Sequence, residues 1–266
     1  IPDTGWDGRI GMPTKTGAHG ITDVILKFEQ SNIYPGIIEL EALTLDIHKE
    51  AGFGVPRHWI ADINGIPALA IERFDRDKHH NPVLTENLYS ILASVDRSIT
   101  NNYRYSYDKI GQAIDRSPIE LVSNREESKK HVMKRFIMAL LTGNGDLHME
   151  NMSIIQHDHT LSFSPVYDPT PVRAYSIHNM LSVMPFGNYG ELQDDRNAPI
   201  GLIEAINNFS KNLGISQATL SEIIEFGLRV TEGYKDRVLE LPALPDSNKR
   251  NLVSITQKIR TQLETI

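Results

Sequence analysis

The fold of this chain is best predicted from residues 143–151, whose sequence is Gly143-Asn144-Gly145-Asp146-Leu147-His148-Met149-Glu150-Asn151. The stretch follows an apolar helical pattern and places an Asp five positions before an Asn. This spacing allows a carboxylate and a carboxamide to face the same ligand from a single short loop. Taken alone, the pattern D-x-x-x-x-N is weak, because many chains contain it by chance. Its meaning therefore depends on the residues upstream and downstream.

Protein kinases carry an Asp and an Asn with this spacing in their catalytic loop. Their Asp orients the acceptor hydroxyl and takes up its proton, and their Asn holds a Mg²⁺ ion. By this pattern Asp146 is the candidate catalytic residue and Asn151 is a candidate metal ligand. The hypothesis requires a strand with a lysine upstream and a second metal-binding Asp downstream.

The composition limits the classes of protein to consider. A chain of 266 residues, 40% of them hydrophobic, can build a substantial core as one large domain or two small ones. It has no Cys, which excludes disulfides and thiolate zinc sites and fits a cytoplasmic location. Its apolar runs are shorter than the roughly 18 residues of a membrane span, so we expect no membrane association. A net charge of −7 argues against direct nucleic-acid binding.

One basic run, KKHVMKR at 129–135, lies in a predicted helix and follows Glu126 and Glu127. Carboxylates in a first turn are favoured by the helix dipole, so we expect an ordinary solvated helix face here. A local basic patch that contacts nucleic acid is the alternative.

A strand with a lysine is predicted upstream. Residues 22–28 (TDVILKF) are β-branched and apolar, which indicates a buried strand, and Lys27 interrupts it near its end. A lysine in such a strand lies at a solvated edge or points at an anion. The catalytic-loop pattern downstream favours the anion.

The next segment, residues 37–51, has helical periodicity, and Gly52 is placed to end the helix. Glu39 and Glu41 fall in its first turns, where the helix dipole alone would favour carboxylates. In a kinase, one glutamate of this helix also pairs with the strand lysine and directs it to the phosphates of the nucleotide. We predict that Glu41 has this role, with Glu39 as the alternative.

Residues 55–74 predict a β-hairpin, because two apolar stretches flank Asn64-Gly65, a strong turn signal. The second strand runs into residues 71–76 (IERFDR), where a kinase hinge would offer backbone groups to the adenine edge. The candidate nucleotide-contacting residues of this hinge are Glu72, Arg73 and Phe74, although Phe74 suits a core position equally well.

The polar segment 77–83 suggests a boundary between an N-lobe, residues 1–76, and a C-lobe, residues 77–266. Helices dominate beyond it. We predict them over 85–95 with Thr85 as N-cap, over 125–142, and near 200–212, 217–234 and 247–264, the last capped by Asp246 or Ser247. Tyr107 falls in a polar stretch for which we predict an exposed loop.

A second Asp is found downstream of the catalytic loop. Two short apolar stretches flank residues 157–160 (HDHT) and predict a hairpin that starts just beyond Asn151. The chain then reaches Asp168, which the hairpin brings back beside Asn151. Asn151 and Asp168 can therefore share a Mg²⁺ ion, as in kinases.

With these parts in order, the chain resembles the HipA family, the serine/threonine kinase toxins of bacterial toxin–antitoxin modules. The matching residues are Val24 to Lys27, Gly52 with Val55-Pro56 after the helix of Glu41, Ile71 to Arg76, Gly145-Asp146 with His148 and Asn151, and Tyr167-Asp168. They cover roughly residues 22–170, and IERFDR followed by G-D-x-H-x-x-N is fairly specific for this family.

The resemblance implies an α+β, two-lobed protein-kinase-like fold with a small β-rich N-lobe and a larger, mainly helical C-lobe. It implies ATP and Mg²⁺ as cofactors, with His148 and Tyr167 added to the nucleotide site. Relatives phosphorylate aminoacyl-tRNA synthetases, are held in check by a helix-turn-helix antitoxin, and are silenced by autophosphorylation of serines in a Gly-rich loop. The expected partners are such an antitoxin and a synthetase substrate.

The chain departs from the family in several places. An N-terminal subdomain and the Ser/Gly loop are not visible, and residues 1–20 lack phosphate-loop spacing despite five Gly. We therefore expect a compact HipT-type member, whose subdomain is a separate small protein. Glu150 stands where relatives usually have Lys, Glu86-Asn87 replaces an expected Gln-Glu-Asp, and Pro169 stiffens the corner after Asp168.

Two alternatives stay open. A small-molecule phosphotransferase of the aminoglycoside kinase type shares G-D-x-H-x-x-N, although IERFDR disfavours it. A nucleotide-binding regulatory module without transfer activity is the alternative outside the enzymes.

Overall fold

The computed structural model describes residues 1–11, 20–103, 105–117, 120–189 and 200–266. The fold is the predicted mixture of helices and sheets, with a small sheet near the N-terminus and a larger helical part. No helix in these ranges is both long and apolar enough to cross a bilayer. Of the Gly-rich residues 1–20, positions 12–19 lie outside the described ranges.

The first sheet contains β1 (Val24–Phe28), β2 (His58–Ile63) and β3 (Ile66–Glu72), all antiparallel, in the order β1-β3-β2. Asn64 and Gly65 form the predicted turn, and both have positive φ, as a two-residue hairpin of this kind requires. Lys27 pairs with Leu69 across the sheet, so their side chains share one face.

Helix α1 (Ile37–Glu50) covers that face, and Gly52 ends it with a φ of 76°. On the other side of α1, Leu40 and Ile47 pack with Tyr234 and Leu244 of the helical part. Gly36, just before the helix, approaches Leu244 so closely that a Cβ would lie 2.5 Å from its Cα. Helix α1 is therefore held between the sheet and the helical part, which fixes the position of the residues it carries.

The helical part surrounds α4 (Arg125–Thr142), whose apolar face forms the centre of the largest core. The other helices are α2 (Leu88–Val95), α3 (Tyr107–Arg116), α5 (Leu202–Asn212), α6 (Gln217–Val230), α7 (Tyr234–Glu240) and α8 (Asp246–Leu263). A second antiparallel sheet, in the order β4-β5-β6, contains β4 (Thr85–Asn87), β5 (Ser153–His157) and β6 (Thr160–Phe163). The hairpin predicted after Asn151 is thus present, and the boundary predicted near residue 76 stays a prediction.

Two predicted helix starts were wrong. Thr85 is not an N-cap, because it lies in β4, and Asn87 caps α2 by accepting a 2.8 Å hydrogen bond from the amide of Ser90. Pairing with β5 keeps these residues extended, and that pairing is a long-range contact that local pattern cannot show. Helix α8 begins at Asp246 after Pro245 and has no side-chain cap, although Asp246 or Ser247 was predicted to cap it.

Two helices were missed. Tyr107, predicted in an exposed loop, begins α3 and is 1% exposed, and its hydroxyl donates to the carbonyl of Leu147. The helix predicted to reach residue 234 ends at Val230, and Tyr234 begins the separate helix α7. Tyr107, Ile110 and Ile114 recur at helical spacing on the buried face of α3, so this signal was present in the sequence. The start of α7 was concealed by the break at Gly233.

The predicted solvated face of residues 129–135 was also wrong. Lys129 is 7% exposed and pairs with Asp115 at 3.1 Å, and Arg135 is 3% exposed. His131 stacks on Phe163 with ring centroids 4.8 Å apart. The run therefore forms neither one solvated face nor a basic patch, because Lys129 and Arg135 are buried while Lys130 and Lys134 stay partly exposed.

Burial of two histidines predicts acid sensitivity of the fold. Burial, followed by the nearby charge of Arg135, lowers the pKa of His48 and of His131 to about 3. In the unfolded chain both return to about 6.5, so the unfolded state binds more protons below that pH. We expect protonation of each histidine in the unfolded chain to lower the free energy of unfolding by about 2 kcal/mol between pH 7 and pH 5. Urea denaturation at the two pH values measures this change.

The variant His131→Phe should lose about half of this pH dependence, while His157→Asn, at an exposed turn, should keep it. An identical pH dependence in wild type and His131→Phe would contradict the burial of a neutral His131.

Candidate active site

Lys27 joins two carboxylates from distant parts of the chain. Its Nζ lies 2.6 Å from Glu41 Oε1 on α1 and 2.6 Å from Asp168 Oδ1 beyond the β5–β6 hairpin. Glu39, the alternative partner, instead accepts a 2.9 Å hydrogen bond from the amide of Ala243. The structure therefore brings together Lys27, Glu41 and Asp168.

Burial disfavours the charged forms of Lys27, Glu41 and Asp168. The contacts between Lys27 and the two carboxylates favour the charged forms in return. Burial would lower the pKa of Lys27, but Glu41 and Asp168 together raise it above the ordinary value. Burial also raises the pKa of Glu41, which Lys27 only partly offsets. For Asp168, burial is outweighed by Lys27 and by the Thr170 hydroxyl, so its pKa is lowered. The lysine charge is thus fixed next to a deeply buried glutamate.

Thr170 is part of this cluster and was missed by the sequence analysis. Its hydroxyl lies 3.0 Å from Glu41 Oε2 and 3.0 Å from Asp168 Oδ1, so it can donate to either carboxylate. A Thr two residues after an Asp carries no signal in a single sequence, because only the folded chain shows what it contacts.

The loop predicted to be catalytic is shaped by its own side chains. Helix α4 ends at Gly143 with a φ of 78°, and Asn144 Oδ1 then accepts a 3.0 Å hydrogen bond from the amide of Asp146. Asn151 Nδ2 donates to the carbonyl of Asp146 at 3.0 Å and closes the loop. These contacts leave the Asp146 side chain 41% exposed, so it can reach a substrate.

His148 braces the same loop. Its Nδ1 accepts a 3.2 Å hydrogen bond from the amide of Glu150, so the neutral ring carries its proton on Nε2. That Nε2 lies 4.0 Å from Asp146 Oδ2, and the ring of Tyr103 packs edge-on against the imidazole at 5.0 Å. His148 therefore supports the loop and also faces the space above Asp146.

The surroundings of Asp146 favour the protonated form of its carboxyl group. Burial raises the pKa of its carboxyl, His148 and His178 lower it, Asp168 adds to the rise, and the net pKa lies above the ordinary value. A carboxylate with a raised pKa is a better proton acceptor than a free one.

Tyr167 and Phe74 meet beside the loop, with ring centroids 5.4 Å apart. The Tyr167 hydroxyl donates to the carbonyl of Glu150 and lies 2.7 Å from Ser153 Oγ, and burial raises its pKa to about 12. The Tyr167 hydroxyl thus bonds to other groups of the protein, and only the Tyr167 ring can contribute to a nucleotide site.

In the part of the chain that the structure describes, the predicted hinge keeps the backbone amide of Phe74 free. The side chain of Glu72 pairs with Arg57 at 2.9 Å, and Arg73 pairs with Asp75. The amides of Glu72 and Arg73 donate to the carbonyls of Arg57 and Asp23. Within the described chain the amide of Phe74 donates to no other group, so it is the N–H available to an adenine edge.

The donor set fits a magnesium ion. Asp168 is 44% exposed at its side chain, and its φ of 53° places it in the left-handed region just before Pro169. The amide oxygen of Asn151 accepts no hydrogen bond from any described residue, which leaves it for a cation. Mg²⁺ prefers one or two such oxygens together with water and substrate phosphates. The described residues contain no group of three or more His, Asp or Glu side chains that would form an all-protein metal cage.

A buried arginine lies under the loop. Arg135 on α4 donates from Nη2 to the carbonyl of Asn151 at 3.4 Å, and burial lowers its pKa to about 10. Sequence analysis assigned it to a solvated face, although it lies three positions from Val132 and four from Ala139, both of which are buried. That helical spacing was the signal that could have placed it correctly.

Comparison with known proteins places these features in a family. The pattern of the HipA-like C-terminal domain matches residues 9–233. The chain is 28% identical over 234 residues to a Haemophilus influenzae protein named "Putative kinase", covering 79% of this chain and 66% of that protein. It is 23% identical over 253 residues to the serine/threonine-protein kinase toxin HipA of Shewanella oneidensis, covering 90% of this chain and 55% of that protein. The chain thus spans between about half and two-thirds of these relatives.

Two solved structures share the fold. One is HipA of Shewanella oneidensis in a complex with HipB and its operator DNA, with a TM-score of 0.66 and 18% identity, covering 91% of this chain and 58% of that one. The other is the Helicobacter pylori proinflammatory kinase CtkA, with a TM-score of 0.62 and 12% identity, covering 97% and 93%. The two-lobed kinase-like fold predicted from the sequence is confirmed.

Proposed function

Because the chain belongs to the HipA-like C-terminal domain family, we propose that it is a protein kinase that transfers the γ-phosphate of ATP to a Ser or Thr hydroxyl. One observation carries the proposal: Lys27 Nζ lies 2.6 Å from both Glu41 and Asp168. Kinases that can transfer phosphate need the lysine–glutamate pair and the metal-binding Asp in place together. This arrangement favours a competent enzyme over a silent nucleotide-binding module.

In the proposed reaction the acceptor hydroxyl oxygen attacks the γ-phosphorus, and its proton passes to the Asp146 carboxylate. The bond from the γ-phosphorus to the oxygen it shares with the β-phosphate breaks, and ADP leaves. Lys27, oriented by Glu41, holds the phosphates. Asn151 and Asp168 would hold Mg²⁺, which would neutralise charge on the phosphates.

The remaining predicted residues bind and orient. The amide of Phe74 meets the adenine edge, and the adjacent rings of Phe74 and Tyr167, tilted by 33° to each other, supply an apolar wall. The Nε2–H of His148 faces the same space as Asp146 and can donate to a phosphate oxygen. Arg135 and Asn144 hold the loop from below, so that the base is positioned before the substrate arrives.

We propose that the biological role is that of a toxin in a bacterial toxin–antitoxin module. The Shewanella oneidensis relative is named as such a toxin, and its solved structure holds HipB and operator DNA. By analogy, the partner of this chain would be a DNA-binding antitoxin of that kind. The resemblance also makes an aminoacyl-tRNA synthetase the first acceptor to test.

The proposal is tested by following γ-labelled phosphate from ATP in a bacterial lysate and, separately, with a panel of aminoglycosides. We expect label on Ser or Thr of a protein, with none on the antibiotics, and growth arrest when the chain is expressed. Label on an antibiotic alone would establish the small-molecule phosphotransferase instead. ATP binding without any transfer would establish the regulatory module.

A further inference from the structure

The segment after the metal-binding Asp exposes two large apolar side chains. Ile177 is 65% exposed and Met180 is 58% exposed, in a part of the chain that the proposed chemistry does not use. Exposed apolar groups that lie together commonly mark a surface that contacts another molecule. What this surface contacts depends on where the segment is held.

The segment is fixed against the catalytic loop. The amide of Val183 donates to the carbonyl of Gly145 at 3.0 Å, and the amide of Arg173 donates to the carbonyl of Gly143 at 3.3 Å. A Cβ on Gly145 would lie 2.7 Å from the carbonyl oxygen of Met180, so the two backbones are in close contact. Because Gly145 directly precedes Asp146, the segment that carries Ile177 and Met180 runs next to the proposed base.

The other end of the loop presents a carboxylate. Glu150 follows Asp146 by four residues, is exposed, and its Oε2 accepts a 2.6 Å hydrogen bond from Asn102 Nδ2. It forms no ion pair with any residue in the described ranges. Next to Asp146 and a nucleotide phosphate, an unpaired carboxylate is unfavourable unless a cation is brought in with the substrate.

Together these features favour a polypeptide as the occupant. An aminoglycoside would satisfy the carboxylate but has little apolar surface for Ile177 and Met180. A peptide can supply both kinds of contact from neighbouring side chains. Its chain would cross Asp146, with one flank near Met180 and the other near Glu150.

We propose that this surface selects a polypeptide segment whose acceptor hydroxyl is flanked by one basic and one apolar side chain. The basic side chain meets Glu150, and the apolar one rests on Ile177 and Met180. The inference rests on the proposed kinase function and adds the chemistry of its acceptor.

The test uses the full chain with Mg²⁺ and ATP and a set of peptides with a central Ser and Ala flanks. A single Arg, Glu or Leu is placed in turn at each of four positions on either side. For wild type we expect Arg at one position, and Leu at another, to raise kcat/KM by roughly tenfold over Ala.

Variants separate the two contacts. For Glu150→Gln, the value of kcat/KM should be nearly the same for the Arg peptide and the Ala peptide, so that their ratio is near one. Glu150→Lys should instead prefer the Glu peptide. Met180→Ser should reduce the Leu ratio and keep the Arg ratio. Glu225→Gln, an exposed site on α6, should change neither ratio.

The outcomes distinguish this inference from the kinase proposal. Transfer to peptides with ratios that do not respond to Glu150 or Met180 would overturn the inference and leave the kinase function standing. The same holds if wild type labels intact proteins but no peptide. If wild type transfers phosphate to neither, the kinase proposal fails, and this inference fails with it.

Discussion

The variant Asp146→Asn is expected to transfer phosphate about 10² to 10⁴ times more slowly than wild type, because it cannot accept the proton of the hydroxyl. The amide has the size of the carboxylate, and the hydrogen bonds that shape the loop come from the backbone of Asp146. Affinity for ATP with Mg²⁺ should therefore change little. Rapid-quench kinetics measures the transfer rate, and equilibrium titration measures the affinity.

A matched control is Asp158→Asn, in the exposed turn between β5 and β6, where φ is 44° and Asn is well tolerated. It should transfer phosphate at the wild-type rate. If Asp146→Asn did the same, Asp146 would not be the base, and the catalytic loop would have to be assigned another role.

The variant Lys27→Met should affect stability and activity together. It removes the cation that contacts Glu41, whose side chain is 4% exposed, and leaves a buried carboxylate without its partner. Removing one partner of a buried pair typically costs about 3–5 kcal/mol. We expect a loss of about that size in the free energy of unfolding from urea titration, together with the loss of phosphate transfer.

Adding Glu41→Gln separates the two effects. The double variant has no uncompensated charge on α1 and keeps a side chain that can bond to Thr170, so most of the stability should return. Phosphate transfer should stay lost, because no cation holds the phosphates. Lys130→Met, which breaks an exposed pair with Glu127 on the surface of α4, should leave the free energy of unfolding close to that of wild type. Recovered transfer in the double variant would contradict the role given to Lys27.

Much of the fold could be predicted because several elements carry their own signals. Helix α1 has clean periodicity and a Gly after its end, and the β2–β3 hairpin has Asn64-Gly65 at its turn. Strand β4 could not be predicted, because Thr85 is extended only through its pairing with Ile155. Tyr107 was misplaced because it was judged by its polar neighbours, although its spacing to Ile110 and Ile114 is that of a helix.

The residues of the site also differ in whether the sequence alone could predict them. Lys27, Glu41 and Asp168 could be proposed from the sequence, because they follow one another along the chain in the order that a kinase requires. The fold brings these three residues into contact. Thr170 could not be proposed, since its contribution lies in what it touches. By contrast, the spacing of Arg135 from buried Val132 and Ala139 already indicated a buried position. Glu72, Arg73 and Phe74 were predicted to contact the nucleotide as a hinge, and this stays a prediction. The side chains of Glu72 and Arg73 pair with neighbouring charges, and among the described residues the backbone amide of Phe74 is free.

The most direct test of this account is the fate of the γ-phosphate in a single turnover, measured by phosphosite mass spectrometry and quench kinetics for wild type and Asp168→Asn. The account predicts Mg²⁺-dependent appearance of phosphoserine or phosphothreonine with wild type. It predicts that the transfer rate falls by at least about 10²-fold with Asp168→Asn, because the substitution removes the carboxylate that contacts Lys27 and that would bind the metal. Transfer by Asp168→Asn at the wild-type rate, or γ-phosphate that stays on ATP with wild type, would contradict it.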